Sequence, residues 1–135
     1  MELKRLYPRM KQLYIWLRES QKGPLLGTFR WHGRNWTTKL MLNPGALDSG
    51  LDDYPRASHP TEGEYHIDLL TWMAMASSVL ENLAEFAGDE EFLPKIRKEA
   101  AHLNDIGQMD KLHWSERAQQ YCDFGLHRSV QIGDI

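Results

Sequence analysis

The sequence predicts an all-α chain in which long helices flank an extended, polar-aromatic loop. Three observations carry that prediction: apolar residues at helical spacing over 3–21, a stretch over 61–87 that is apolar nearly all round, and between them a Gly-, Pro- and Asn-rich segment, 24–60, that sustains neither period. At 135 residues the chain has the size of one domain, and 41% hydrophobic with 26% charged residues is ordinary for a globular protein. Its net charge of −3, with cations scattered among Glu and Asp, offers no basic footprint and argues against a nucleic-acid partner.

In the first helix, over 3–21, Leu6, Met10, Leu13, Tyr14, Ile15, Trp16 and Leu17 fall largely at helical spacing, and Lys22-Gly23-Pro24 supplies a basic last turn, a glycine stop and a breaker. Within 24–60, Phe29-Arg30-Trp31 and Lys39-Leu40-Met41-Leu42 read as short strands around Gly33, so the segment is mostly loop with at most a short hairpin. So long a loop inside a compact domain is usually functional or disordered, and its aromatic residues and the Asp-Asp pair favour the functional option. The second helix is expected over 61–87, with Thr61 as N-cap, Glu64 as its capping-box partner and Gly88 as its stop. Ile67, Leu69, Leu70, Trp72, Met73, Met75, Val79, Leu80, Leu83 and Phe86 leave little polar surface in its first half, and a helix hydrophobic nearly all round is expected to be buried. Asp89-Glu90-Glu91 opens a third helix over 89–106, with Pro94 tolerated in its first turn, and the tail after Gly107 reads as less regular. These are helical hairpins with one face packed and one solvated.

No apolar run reaches the roughly 18 residues that span a bilayer, and Met1-Glu2-Leu3-Lys4-Arg5 lacks the core of a signal peptide, so no membrane contact is expected from this segment. Cys122 stands alone and reads as a part-buried hydrophobe. The histidines show no His-Glu-x-x-His spacing, and neither a metal nor another cofactor is expected.

Chemistry concentrates in three clusters. The loop Ser49-Gly50-Leu51-Asp52-Asp53-Tyr54-Pro55-Arg56-Ala57-Ser58-His59-Pro60 sets two adjacent carboxylates, an aromatic ring and a guanidinium between bending residues. It suits a polar ligand, and the plainer reading is a tight turn whose Asp side chains bond nearby backbone N–H groups. Upstream lies Phe29-Arg30-Trp31-His32-Gly33-Arg34, and downstream Glu64-Tyr65-His66-Ile67-Asp68-Leu69-Leu70-Thr71-Trp72. Glu64 and Asp68, four apart, would share one helical face and grip vicinal hydroxyls, or simply complement the helix dipole. Trp31 and Trp36 have faces that stack on a pyranose or pack in a half-buried loop. His66 reads as a structural hydrogen-bonder.

In this order the clusters resemble the catalytic domain of the eukaryotic processing α-glucosidase I enzymes of glycoside hydrolase family 63. There the string at Gly50–Pro60 is nearly a signature, and the pattern Glu-x-His-x-Asp-Leu-x-x-Trp is a glucose-binding segment. The resemblance runs from Tyr7-Pro8-Arg9 through Gly23-Pro24-Leu25 to Leu112-His113-Trp114 and Asp123-Phe124-Gly125. It implies an (α/α)6 helical toroid, of which a chain this long supplies roughly four to six helices at about 11–12 residues each. Residues 1–135 would then be a sector of that toroid, a single incomplete catalytic domain with a long active-site loop.

The resemblance also implies an activity: removal of the terminal α-1,2-linked glucose from the triglucosylated N-glycan precursor, with inversion of configuration. Inversion requires a protonated carboxyl and a second carboxylate about 6.5–9.5 Å away on the other side of the sugar. The resemblance carries the general acid onto Asp52, with Asp53 the rival, and substrate binding onto Asp53, Tyr54, Arg56, Glu64, Asp68, Trp31 and Arg34. Asn35 departs from the family's Gly-Arg-Asp continuation and cannot supply a carboxylate. The family's general base is a Glu C-terminal to these segments, and no motif before Ile135 corresponds to it, so the chain by itself is expected to be inactive. The implied compartment is the endoplasmic reticulum lumen. The rival reading is a non-catalytic carbohydrate-binding or helical interaction fragment that lacks the base.

Overall fold

The computed structural model describes residues 2–32, 61–127 and 130–131. These residues are mostly helical: α1 (Glu2–Ser20), α2 (Ile67–Ala87), α3 (Leu93–Leu103) and α4 (Ile106–His113). Four two-residue strands follow, β1 (Trp114–Ser115) paired antiparallel with β2 (Gln120–Tyr121), and β3 (Leu126–His127) with β4 (Val130–Gln131). Among the described residues no helix is long and apolar enough to cross a membrane.

Helix α2 is the centre. Its Leu69, Leu70, Met73, Leu80 and Ala84 are buried against Ile96 and Leu103 of α3 and against Tyr7 and Tyr14 of α1. Each fully buried aliphatic side chain contributes about 1.5–3 kcal/mol relative to exposure. Gly88 ends α2 in the left-handed region at φ 76°, and its N–H with that of Asp89 satisfies the last carbonyls, as the sequence predicts.

One stripe of α1 carries polar tips to the α3 side. Tyr7 Oη and Lys11 Nζ both donate to Asp89 Oδ2, at 2.7 and 2.6 Å, and one and two turns further on Tyr14 Oη and Arg18 Nη1 donate to Glu99, at 2.8 and 2.9 Å. Asp89 has a second task. Its Oδ1 accepts the Phe92 N–H at 3.0 Å, satisfying an orphan donor at the start of α3. Lys11 and Tyr7 together hold its carboxyl down at a pKa of about 2. Burial and the partner carboxylates push both tyrosine hydroxyls upward.

Three boundaries differ from expectation. Helix α2 begins at Ile67, not 61, because Thr61–Glu64 folds as a turn and His66 is extended at φ −117°, ψ 128°. Thr61 is therefore not its N-cap, and Glu64 is not a capping-box partner. The expected third helix starts only at Leu93 and stops at Leu103. Asp105 then caps a separate α4 by accepting from the Gly107 and Gln108 N–H groups, at 2.9 and 3.3 Å, in a tail expected to be less regular. The Phe29–Trp31 strand is reduced to a bridge, Lys22 to Phe29, closed by a turn in which Gly27 sits at φ 75°. That positive φ favours glycine, and a Cβ at Gly27 would in addition push on the far end of the His102 side chain, at 2.6 Å from Nε2. The strand expected over Lys39–Leu42 lies outside the described residues.

Since the folded-state pKa of Asp89 is depressed, its stabilisation is present above its ordinary pKa and disappears as pH falls through the folded value. Urea denaturation of Asp89→Ala is expected to show a loss of about 1–3 kcal/mol at pH 7, the worth of charge-assisted hydrogen bonds plus a helix cap. The gap to the unsubstituted chain should close between about pH 4 and pH 2.

Candidate functional site

The candidate site is organised by the extended segment that precedes α2. Tyr65 exchanges a pair of backbone hydrogen bonds with Phe124, both 2.9 Å, while His66 N–H donates to the Phe29 carbonyl at 2.7 Å. The segment is thus pinned between two distant parts of the chain. Ile67 N–H, an orphan donor at the helix start, reaches Asp123 Oδ1 at 2.9 Å. Gln21, fully buried, secures the Phe29 side: its backbone carbonyl accepts from Arg30 N–H and its Oε1 from His32 N–H, each at 2.9 Å.

From this frame three predicted site residues converge. Trp31 N–H donates to His66 Nδ1 at 2.9 Å, and its indole Nε1–H donates to Asp68 Oδ2 at 2.9 Å. Because Nδ1 accepts, the ring proton of neutral His66 sits on Nε2. That nitrogen lies 3.4 Å from Glu64 Oε1. Asp68 Oδ1 accepts the Leu69 N–H at 2.8 Å, which fixes its carboxylate against its own helix. Glu64, His66, Trp31 and Asp68 therefore form one connected group.

Glu64 is the anomaly in it. The side chain is fully buried, and the His66 contact is within ion-pair reach but not aligned as a hydrogen bond, so neither carboxylate oxygen accepts one from any described residue. A carboxylate is an acceptor only, and a buried one without donors is costly. Polyol hydroxyl groups are donors of the kind it lacks.

Behind the segment the Tyr65 ring stacks on Phe124, with centroids 4.7 Å apart and planes 7° apart, and meets the His113 ring edge-on. His113 Nδ1 donates to the Cys122 carbonyl at 2.8 Å, its buried Nε2 has no hydrogen-bond partner among the described residues, and burial lowers its pKa, which favours the neutral ring. Among the described residues no group of three His, Cys, Asp or Glu side chains is placed to hold a metal ion.

The structure brings Trp31, Glu64 and Asp68 together, though not as the helical spacing implied. Glu64 precedes α2, so it and Asp68 do not share a helical face. Arg34, Trp36, Asp52, Asp53, Tyr54 and Arg56 lie outside the described residues. Asp123, Gln21 and His113 were not identified as site-building residues from sequence. Asp123 acts on a partner 56 residues away, and no local pattern signals such a cap.

Comparison with known proteins follows the same lines. Residues 1–134 match the model of the glycosyl hydrolase family 63 C-terminal domain. The chain is 40% identical over 127 residues to mannosyl-oligosaccharide glucosidase GCS1 of Arabidopsis thaliana, covering 93% of this chain and 15% of that protein. It is 39% identical over 127 residues to alpha-glucosidase 2 of the same plant, covering 93% and 16%. With the protein named probable mannosyl-oligosaccharide glucosidase in Schizosaccharomyces pombe it shares 37% identity over 132 residues, covering 90% and 15%. The chain thus spans about 15–16% of the length of these relatives.

Removing the cap should loosen the frame without unfolding the helices. Asp123→Ala is expected to cost about 1 kcal/mol, in the usual range for a lost N-cap. Hydrogen exchange should locate the change, with faster exchange at the Ile67 amide and unchanged protection in the middle of α2 and α3.

Proposed function

The chain belongs to glycosyl hydrolase family 63, and from that premise we propose that it forms part of the catalytic domain of a glucosidase that trims glucose from an N-glycan. In this reading residues 1–135 are one incomplete domain, a sector of an (α/α)6 toroid. The substrate is the triglucosylated precursor, from which the terminal α-1,2-linked glucose is hydrolysed with inversion, and the compartment is the endoplasmic reticulum lumen. The relatives' names support the glucosidase class.

The observation that carries the proposal is the buried Glu64 carboxylate with no hydrogen-bond donor among the described residues, beside a histidine whose tautomer Trp31 fixes. Glu64 accepts from glucose hydroxyls, and Asp68 and Trp31 hold the wall on which the sugar lies. Asp52 protonates the leaving oxygen, with Asp53 the rival for that role. Asp53 otherwise joins Tyr54, Arg56 and Arg34 in binding the sugar. Arg56 must face a hydroxyl or another carboxylate, because a guanidinium against the acid would lower the pKa that needs to be raised. A second carboxylate, outside the segments assigned here, activates water on the opposite face of the ring.

The test is a titration of the purified chain with an α-1,2-linked glucosyl disaccharide, read by tryptophan fluorescence and by release of glucose. Saturable binding is expected, weakened by about tenfold or more in Glu64→Gln, as befits loss of a charged hydrogen bond. Turnover is not expected from the chain alone, since a missing acid–base group removes about 10²–10⁴ of the rate and an incomplete barrel removes preorganisation besides. Robust hydrolysis abolished by Asp52→Asn would place both carboxylates within these residues. No saturable binding would favour a helical interaction fragment instead.

A further inference from the structure

His113 stands at the end of α4, 3% exposed, with its ring edge-on to that of Tyr65 and the centroids 5.2 Å apart. It grips Cys122 twice. The Cys122 N–H donates to the His113 carbonyl, and His113 Nδ1–H donates to the Cys122 carbonyl, both at 2.8 Å. The two residues after Cys122 hold the site: Asp123 caps Ile67, and Phe124 exchanges main-chain bonds with Tyr65 while its ring stacks on the tyrosine. The His113 clamp therefore carries one edge of the segment that presents Glu64. Phe29 and Trp31 carry the other edge through His66.

This clamp is built for a neutral ring. An imidazole that donates from Nδ1 keeps a lone pair on Nε2, and that nitrogen is buried without a hydrogen-bond partner among the described residues. A second proton would set a charged N–H there with nothing to accept it, and a charge taken out of water without a partner is costly. The titratable groups that face the ring are Tyr65 and His66 from the extended segment, Asp68 from α2, and Cys122 and Asp123 from the chain after β2. Burial is the largest influence and opposes the proton; the Cys122 carbonyl, Asp123 and Asp68 favour it less strongly, and His66 opposes it. On α4 itself, Asp110 is engaged by the Tyr121 hydroxyl at 2.5 Å.

We propose that His113 is a positioning residue that gates the Glu64 segment by pH: a proton taken from solvent onto Nε2 drives the ring from beneath Tyr65, releases Cys122, and opens the edge held by Asp123 and Phe124 while the edge held by Phe29 stays closed. The opening is selective. The Tyr65 and Ile67 amides lose their acceptors, whereas the His66 N–H keeps the Phe29 carbonyl and the Trp31 N–H keeps His66 Nδ1. Protonation of His66 would do the reverse, because a proton on its Nδ1 displaces the Trp31 N–H. Since burial depresses the folded-state pKa of His113, closure is fully supported above the ordinary histidine value of about 6.5 and weakens as pH falls below it. The inference rests on the reading of Glu64 as the sugar-facing acid only for what the opening exposes, and its test involves no sugar, so the two fail separately.

The experiment is amide hydrogen exchange of the purified full chain, followed by NMR between about pH 7.5 and pH 5 and corrected for the intrinsic pH dependence of exchange. Protection at Tyr65 and Ile67 is expected to fall by about tenfold per pH unit below about 6.5 until the folded ring takes up its proton, with protection at His66 and in the middle of α2 unchanged. Nitrogen–proton correlation spectra of the His113 ring in the same samples should place the neutral ring's proton on Nδ1, with a titration midpoint below the ordinary value that coincides with the change in exchange. His113→Asn offers an amide N–H to the Cys122 carbonyl and takes up no proton in this range, so protection at Tyr65 and Ile67 should stay level in that variant. Unchanged helicity shows that the variant folds, and where it does not, the coincidence of ring titration and exchange in the unsubstituted chain decides. The proposal is overturned if His113 titrates without any change at Tyr65 and Ile67, or if folded His113→Asn keeps the pH dependence. Loss of protection at Trp31 in place of Tyr65 and Ile67 would assign the titration to His66 and overturn it as well.

Discussion

The extended segment from Glu64 to His66 is the constraint on which the site depends. Phe29 holds one edge and Phe124 the other through main-chain hydrogen bonds, so these residues cannot wind into the helix that follows. That delay decides side-chain direction. Glu64 is buried instead of lying along a helix surface, His66 meets the backbone of Trp31, and Asp68 falls in the first turn of α2, where the indole reaches it. The surrounding backbone donors are closely accounted for, Ile67 by Asp123 and Arg30 by Gln21. Against that background Glu64 stands out as a buried acid with no donor among the described residues, and Arg30 Nη1 and His113 Nε2 are likewise buried without a hydrogen-bond partner among them.

A second pair of acids organises the rest of the body. Asp89 and Glu99 each take one tyrosine and one cation from α1, at positions a turn apart, so long polar side chains span from α1 to the α3 side while α2 fills the space between. The arrangement divides the surface of α1. Charge-assisted bonds occupy the stripe towards α3, and the adjacent stripe is left to apolar residues alone. Such bonds are directional where apolar contact is not, and they fix the rotation of α1 about its own axis.

What could be read in the sequence was what local chemistry decides. The Lys22-Gly23-Pro24 stop and the Gly88 cap act within a few residues, and α1 and the end of α2 follow from them, whereas α3 begins at Leu93, four residues beyond the start at 89 that the acidic run implies. The Asn104-Asp105 break was equally local, but the apolar period on either side masked it. The start of α2 was not legible, because its capping carboxylate comes from Asp123 and its preceding strand from Phe29 and Phe124. The site divides in the same way. Trp31, Glu64 and Asp68 were identifiable as residue types clustered with aromatics, and the string around Asp52 was specific enough to point to the family. The hydrogen-bonded order linking Trp31, His66 and Glu64 depends on tertiary closure, which no spacing encodes.

The long reach of these closures also sets an order of assembly. Helices α2 and α3 are joined by a short turn and pack on each other early at little entropic cost. The bond from Asp123 to Ile67 closes across 56 residues, and that from Trp31 to Asp68 across 37. On loop-closure grounds the bonds around Glu64 are expected to form after the α2–α3 pair and to be released before it in a partial opening. In kinetic terms the segment from Glu64 to His66 is expected to open and reclose as a local unit while the helices beneath it stay folded.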